Sequence, residues 1–196
     1  MKVLLRRCSL VVVMLAATMI ISACGKPQLA NALNWNLDSF TYTNQEDKEF
    51  GTKDLTNKVW IANFIFTNCE TVCPPITAHM AKLQRMMKKE NVPVEFVSFS
   101  IDPENDTPEA LKSFAQQFTE DFSNWTFLTG YSQETIEKQA KTQFHELVQK
   151  TDASTQVTHG THLFLVNKEG KIMKSYSGFA NVPYKEIVQD AKTLNE

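Results

Sequence analysis

Two long apolar runs, and the regular spacing of apolar residues between them, define the main elements of the chain. Residues 59–66 and 94–101 are almost continuously apolar, which is typical of strands buried on both faces of a sheet. From Cys73 onward, apolar residues recur at helical spacing at Ile76, Met80, Leu83 and Met87. Pro74 and Pro75 fit a helix that begins at Cys73, because the first turn tolerates proline.

The rest of the chain continues the alternation of strands and helices. Residues 40–50 predict a small hairpin. The later predicted elements are a helix capped by Thr107, a strand over 125–128, a helix capped by Ser132, a hairpin over 161–176 and a final helix from Val182. This order predicts an α/β fold, in which helices flank both faces of a central mixed β-sheet and the small hairpin lies at the N-terminal side.

The first 23 residues have the pattern of a secretory signal. Three basic residues precede a run over 8–21 that is almost wholly apolar, and this run is shorter than the about 20 residues that a membrane-spanning helix needs. Ser22 and Ala23 then lead directly to Cys24. This ending resembles the lipobox of bacterial lipoproteins, in which the cysteine is lipidated on its sulfur and becomes the new N-terminus. A plain signal peptide with an unrelated cysteine is the alternative.

We therefore expect a signal peptide over 1–23, a lipid anchor and tether over 24–34, and one domain over 35–196. The lipid would hold the domain at the extracytoplasmic face of the cell membrane. The chain has 20 basic and 22 acidic residues, a net charge of −2, and loss of the three basic residues of the signal would make it −5. Because no basic cluster remains, we expect no nucleic-acid partner.

Only two of the four cysteines belong to the predicted domain. Cys8 would leave with the signal and Cys24 would carry lipid, so Cys69 and Cys73 remain, four positions apart. Secreted domains that depend on disulfides normally carry several widely spaced pairs. A bond across so short a loop would add little stability through chain entropy. The pair therefore indicates chemistry, with two inert buried cysteines as the alternative.

Cys69 and Cys73 lie between a buried strand and the helix that follows it, where open α/β sheets bind their ligands. A helix N-terminus favours the thiolate, which both binds metals and attacks disulfides. Residues four apart on a helix have Cβ atoms about 5–6 Å apart, whereas a disulfide requires about 3.8 Å. Two thiolates that share a metal ion tolerate the wider separation. The spacing fits both uses, and a metal slightly better.

Histidine is a common partner of two thiolate ligands, and the chain has four. His79 lies beside the apolar stripe of the first helix, His145 ends a later helix, and His162 lies within a strand of the last hairpin. His159 lies just before that strand, in a predicted loop whose backbone can direct the imidazole, which makes it a possible third ligand that the residues alone do not establish. On an extended segment His159 and His162 point to opposite sides, so we do not expect both to bind one ion.

Asp102 ends the second buried strand, so its carboxylate lies at the same end of the sheet as the cysteines. An aspartate before proline is commonly a turn residue. The functional alternative is a carboxylate that orients the metal ligands without binding the metal itself. The residues alone favour the turn.

Four segments resemble the Sco (SenC) family of thioredoxin-like copper proteins, in particular the Sco lipoproteins of Bacillus-type Gram-positive bacteria. Residues 64–80 contain the specific CxxxCP sequence, and residues 97–108, 124–130 and 159–170 match the family in the same order. The resemblance runs from about Trp35 to the C-terminus.

The resemblance implies a thioredoxin-like fold and a copper metallochaperone. By this match, Cys69, Cys73 and His159 bind Cu(I) or Cu(II), and Asp102 falls on an acidic position that influences the redox and copper chemistry. The implied function is assembly of the CuA centre of cytochrome c oxidase, with oxidase subunit II as the partner. After the predicted ligand histidine, Gly160-Thr161-His162 departs from the bulky or hydroxylic residues that are frequent in the family.

Three other functions compete with copper delivery. A thiol–disulfide reductase that keeps the CuA cysteines reduced is the main one, although thioredoxin-type enzymes use CxxC and a cis-proline that the segment Val157-Thr158-His159 lacks. A thiol peroxidase fits poorly, because Ala62 and Phe66 occupy the positions of its proline and threonine. A redox or copper sensor remains open.

Overall fold

The computed structural model describes residues 29–150 and 156–196. The predicted signal peptide over 1–23 and the predicted lipidation site Cys24 lie outside these residues. Within them, no helix combines the length and the apolar character that crossing a membrane requires.

Eight of the ten strands in the described residues form one mixed sheet, in the order β1-β10-β9-β4-β5-β6-β2-β3. The central strands β4, β5 and β6 run parallel to one another, and every other neighbouring pair is antiparallel. The strands are β1 (Trp35–Asn36), β2 (Thr41–Asn44), β3 (Glu49–Gly51), β4 (Trp60–Ile65), β5 (Glu95–Ser100), β6 (Trp125–Thr129), β7 (Val148–Lys150), β8 (Val157–His159), β9 (His162–Val166) and β10 (Lys171–Ser177).

Within residues 29–150 and 156–196, four helices connect or follow these strands. They are α1 (Cys73–Lys89), α2 (Pro108–Ala115), α3 (Gln133–Gln143) and α4 (Tyr184–Asn195). The hydroxyl of Thr107 accepts from the Ala110 N–H, and that of Ser132 accepts from the Thr135 N–H. Each cap therefore satisfies a backbone donor that the first helical turn leaves without a partner.

Helices cover both faces of the sheet, as the sequence predicts. On one face Phe144, at the C-terminus of α3, contacts the rings of Phe64, Phe99 and Phe164. On the other face Tyr176 of β10 donates to Asp190 of α4, which packs on α1. The polar Asn63 within the buried strand β4 accepts a hydrogen bond from Ser98 at 2.7 Å. The predicted mixed α/β sheet with its N-terminal hairpin is confirmed.

Four features of the fold differ from the sequence predictions or add to them. Strand β1 pairs with β10, and a separate two-stranded sheet joins β7 to β8. The start of the described chain, within the predicted tether, packs on the domain: Leu29 is buried and the Leu33 N–H donates to the Met173 carbonyl at 2.9 Å. His159 is the last residue of β8 rather than part of a loop, because the β7–β8 pairing extends to it.

The direction of the strands brings three segments to one edge of the sheet. The C-terminal ends of β4 and β5 lie side by side because these strands are parallel. Strand β9 is antiparallel to β4, so its N-terminal end, with β8 just before it, lies at the same edge. Cys69 and Cys73 follow β4, Asp102 follows β5, and His159 is the last residue of β8.

Candidate metal centre

Cys69, Cys73 and His159 converge at this edge. One potential ligand atom from each residue lies within 4.8 Å of the others, and these three residues form the only such cluster of three or more in the described chain. Both cysteines are free thiols, and they are 5% and 0% exposed. The partly exposed imidazole of His159 is therefore the member of the cluster that solvent reaches most readily.

The turn between β4 and α1 aligns the two cysteines. The Cys69 N–H donates to the Phe66 carbonyl at 3.3 Å, which folds the chain back after β4. Cys73 is the first residue of α1, and its N–H donates to Cys69 Sγ at 3.3 Å. The Thr77 hydroxyl donates to the Cys73 carbonyl at 2.8 Å and fixes the first helical turn. Cys69 thus lies before the helix, at the end where the backbone N–H groups are free to bind a thiolate.

This arrangement separates the acidities of the two thiols. The hydrogen bond from the Cys73 thiol lowers the pKa of Cys69 to about 3, and the backbone N–H groups of Cys73 and Thr71 act in the same direction against the effect of burial. The pKa of Cys73 is raised, because its proton is held by Cys69 and because the side chain is buried. A helix N-terminus is expected to favour thiolates in general. The Cys73 N–H at the start of α1 adds to the effect of the Cys73 thiol on Cys69, whereas for Cys73 itself the shared proton and burial prevail.

His159 directs one ring nitrogen toward the sulfurs. Its Nε2 lies 3.5 Å from Cys73 Sγ, and its Nδ1 lies 2.6 Å from the Gly160 carbonyl oxygen. A carbonyl only accepts hydrogen bonds, so Nδ1 carries a proton, and Nε2 is the ring nitrogen that can bind a metal ion. With its proton on Nδ1, the neutral ring would be the tautomer that a metal ligand at Nε2 requires. The ring also contacts the ring of Phe66 edge-on, with the two ring centroids 5.9 Å apart.

The other three histidines lie outside the cluster. The Nδ1 atom of His162 lies 2.7 Å from a carboxylate oxygen of the buried Glu146, and half of the His162 side chain is exposed. His79 is hydrogen-bonded to Tyr184, and His145 packs edge-on against Trp35 with ring centroids 4.2 Å apart. The structure therefore places His159, and not His162, beside the cysteines.

The predicted residue Asp102 lies at the expected edge but binds other groups. It is 1% exposed, pairs with Lys150 Nζ at 2.6 Å and accepts two hydrogen bonds from Asn105. The carboxylate that supports the cysteine turn is Asp106, which the sequence analysis did not identify. It accepts from the Thr67 N–H at 3.1 Å, from the Thr67 hydroxyl at 2.6 Å and from the Ser100 hydroxyl at 2.6 Å.

Asp106 also influences the site electrostatically. Burial raises its pKa, although the hydrogen bonds from Ser100 and Thr67 act in the opposite direction. The negative charge of Asp106 in turn contributes to the raised pKa of Cys73. The sequence gives one signal for Asp106: it is the second aspartate after β5 and lies directly before the helix cap Thr107.

Two thiols and one imidazole in this arrangement have two chemical capacities. Soft thiolates with one added imidazole suit Cu(I) and Cu(II), and three protein ligands leave a coordination position for an incoming group. The same dithiol, with one thiol of low pKa, can exchange with disulfides. The geometry fits both capacities.

Known proteins similar to this chain include members of the SCO1/SenC family. The SCO1/SenC family matches residues 32–195. The SCO1 protein homolog of Bacillus subtilis (strain 168) is 47% identical over 173 residues, which cover 88% of this chain and 90% of the relative.

The solved structures agree with this match. A SCO1/SenC family lipoprotein from Bacillus anthracis str. Ames is 57% identical, with a TM-score of 0.84, and the match covers 86% of this chain and 99% of that one. BsSco, a member of the Sco family of cytochrome c oxidase assembly proteins in which a disulfide switch was identified, is 46% identical, with a TM-score of 0.79 and coverages of 85% and 97%. Arabidopsis thaliana ScoI with copper bound is 25% identical, with a TM-score of 0.66 and coverages of 84% and 98%.

These matches extend over nearly all of the described chain and confirm the thioredoxin-like fold that the sequence implied. The chain belongs to the SCO1/SenC family.

Proposed function

We propose that this protein binds copper as cargo through Cys69, Cys73 and His159 and delivers it to the CuA centre of cytochrome c oxidase subunit II. The observation that carries the proposal is the position of His159, whose Nε2 lies 3.5 Å from Cys73 Sγ while its Nδ1 is bonded to the Gly160 carbonyl. The copper bound to the Arabidopsis thaliana relative and the oxidase-assembly role of the family of BsSco support it.

Each ligand contributes a distinct property to copper binding. Cys69 is already a thiolate at neutral pH because of its lowered pKa. Cys73 has a raised pKa, so it would release its proton as the metal binds, because the metal ligand is the thiolate. The two sulfurs suit Cu(I), and the imidazole adds the nitrogen that Cu(II) prefers.

A lipid on Cys24 would attach the domain to the outer face of the cell membrane, where the CuA domain is exposed. The residues before Cys24 carry the signal pattern, and the similar Bacillus anthracis protein is described as a lipoprotein. In this arrangement residues 1–23 are removed, and the few residues after Cys24 lead to the domain. Asp102 acts on the copper site, in this proposal, only through the surrounding turn and its ion pair with Lys150.

Thiol reduction is the second candidate function. Both cysteines are free, and the low pKa of Cys69 is the property of an attacking thiol. Exchange with a CuA disulfide would proceed through a mixed disulfide and would leave Cys69 and Cys73 oxidised. This chemistry needs no imidazole, so it gives no reason for the orientation of His159.

Metal titration tests the proposal directly. The full chain, reduced and purified in mild detergent, is titrated anaerobically with Cu(I) and with Cu(II), and bound metal is counted. We expect one copper per chain, a thiolate-to-Cu(II) charge-transfer band in the visible spectrum, and loss of that band in Cys69→Ala and Cys73→Ala. His145→Ala, which removes an exposed imidazole outside the cluster, serves as the control. A wild-type chain that binds no copper would refute the proposal.

A further inference from the structure

The orientation of His159 depends on the peptide that follows it. The proton on Nδ1 is bound by the carbonyl of Gly160 at 2.6 Å. The direction of Nε2 toward Cys73 is therefore set by the place of that carbonyl. Any group that holds Gly160 in place also determines where the imidazole points.

Gly160 is held by the carboxylate of Glu146. A Cβ atom on Gly160 would lie 1.3 Å from Glu146 Oε1 and 2.1 Å from its Cδ, so no side chain fits at this position unless the carboxylate moves. The φ angle of Gly160 is not in the positive range. The need for glycine therefore comes from the space that the carboxylate occupies and not from an unusual backbone conformation.

Glu146 is in turn fixed from two sides. Its N–H donates to the Ala140 carbonyl at 2.9 Å, which ties it to the end of α3, and its side chain is only 7% exposed. One carboxylate oxygen accepts from Nδ1 of His162 at 2.7 Å. Because a buried carboxylate is costly without a partner, this hydrogen bond keeps the group in its place over Gly160.

The segment between the two histidines is also bound through its backbone. The Gly160 N–H donates to the Leu147 carbonyl at 3.2 Å, and the Gly178 N–H donates to the Thr161 carbonyl at 2.8 Å. The chain is thus held by the residue after Glu146 on one side and by the end of β10 on the other. Movement of Gly160 toward Glu146 is blocked by the Glu146 carboxylate.

We propose that Glu146 and His162 are positioning residues that hold His159 in its metal-binding orientation. Neither residue binds the metal. The consequence for copper rests on the proposed function, whereas the consequence for the ring of His159 exists in the metal-free protein. In this proposal His162 contributes to the metal site although it is not part of the ligand cluster.

The metal-free test measures the imidazole nitrogens of the full chain in mild detergent by NMR. In the wild type we expect the His159 ring as a single Nδ1–H tautomer. Glu146→Ala should give a mixture of tautomers, because the Gly160 carbonyl is no longer held. Glu146→Gln should resemble the wild type, because the amide fills the same volume and its oxygen still accepts from His162. His145→Ala is the matched control for His162→Ala and should leave the His159 ring unchanged.

The metal-bound test measures Cu(II) affinity by competition with a chelator. Loss of a residue that orients a metal ligand typically weakens metal binding about 10–100-fold, and we expect this range for Glu146→Ala with a smaller loss for His162→Ala. Cu(I), which depends more on the sulfurs, should lose less. Both variants should change the midpoint of thermal unfolding of the metal-free chain only slightly, while their Cu(II) affinity falls.

A double substitution separates positioning from simple damage. Gly160→Ala alone should weaken Cu(II) binding, because the new Cβ must displace the carboxylate. In the Glu146→Ala background the same substitution should have little further effect, because the obstructing group is gone. Additive losses, or a wild-type ring spectrum in Glu146→Ala and His162→Ala, would overturn this inference. If the wild type binds no copper, the proposed function fails and the ring spectra still decide whether Glu146 positions His159.

Discussion

Cys73 Sγ and His159 Nε2 lie 3.5 Å apart although 86 positions separate the two residues in the chain. The contact exists because α1 begins at the end of β4 and because β8 precedes an antiparallel neighbour of β4. The pairing of β9 with β4 therefore brings the start of α1 close to the end of β8, which leads directly into β9. Metal ligands on such rigid elements are held more accurately than ligands on loops.

The ionisation of Cys69 should be visible in the metal-free protein. We expect the ultraviolet absorbance of one thiolate at neutral pH, lost only as the pH falls through about 3. The folded-state pKa lies below the value of about 8.5 for an unfolded cysteine. This group therefore contributes stability that is complete above about pH 8.5 and is lost as the pH falls toward the folded value. Cys73→Ala should raise the pKa of Cys69, because it removes the principal donor. Absence of a thiolate at neutral pH in the wild type would contradict this prediction.

Removal of the Asp106 carboxylate should destabilise the turn that carries the cysteines. Asp106→Ala leaves the Thr67 and Ser100 donors without their acceptor inside the protein, which we expect to cost about 3 kcal/mol. Urea unfolding measures the change. Glu46→Ala, which removes an exposed carboxylate paired with Lys112, is the control and should change the free energy of unfolding by less than about 1 kcal/mol. Equal effects of the two substitutions would show that Asp106 has no special structural role.

Asp102 and Glu104 offer a matched comparison, because both carboxylates bind Lys150. Asp102 is 1% exposed and Glu104 is 67% exposed. We expect Asp102→Ala to cost about 3 kcal/mol, since it leaves a partly buried ammonium without its closest partner, and Glu104→Ala to cost less than about 1 kcal/mol. Denaturant unfolding gives both values. Cu(II) affinity should stay close to wild type in Asp102→Ala; a loss as large as that of a cysteine variant would instead make Asp102 part of the copper site.

Membrane attachment should depend on Cys24. Cys24→Ala is expected to release the protein from the membrane fraction or to block removal of the signal, because lipid contributes about 0.8 kcal/mol for each buried CH₂ group. Cell fractionation and the mass of the purified chain measure this. Cys8→Ala, within the expected signal, is the control and should be processed normally. Firm attachment of a processed Cys24→Ala protein would contradict the lipid anchor.

The parts of the fold that the sequence predicted are those with strong local signals. The apolar runs of β4 and β5, the helical spacing of α1 and the caps Thr107 and Ser132 each depend on neighbouring residues. The chemical role of the cysteine pair is predicted from its close spacing, from its place between a strand and a helix, and from the lack of other cysteines in the predicted domain. The choice of His159 came from the family resemblance together with its place before β9, and the structure places it beside the thiols.

The parts that the sequence did not predict depend on contacts between distant segments. Strands β7 and β8 have three residues each, which is too few for a periodic pattern, so the sequence predicts a loop at His159. The roles of Asp106 and Glu146 depend on the residues that pack around them. The local sequence around each of them does not distinguish it from an ordinary acidic residue on the surface. The sequence likewise presents Gly160 as an ordinary turn glycine. Only the structure shows that the Glu146 carboxylate occupies the space of a side chain at this position.

Oxidase assembly in cells carrying His159→Ala tests the central claim most directly. Copper delivery and thiol reduction both need Cys69 and Cys73, whereas only copper binding needs the imidazole. The measurement is CuA-oxidase activity in membranes of a deletion strain that expresses each variant at equal level, with His145→Ala as the control. We predict that His159→Ala lowers activity nearly as far as Cys69→Ala, and that added copper partly restores it by mass action. Near-normal activity of a stably expressed His159→Ala protein, with rescue of the cysteine variants by a small thiol, would contradict copper delivery and support the reductase.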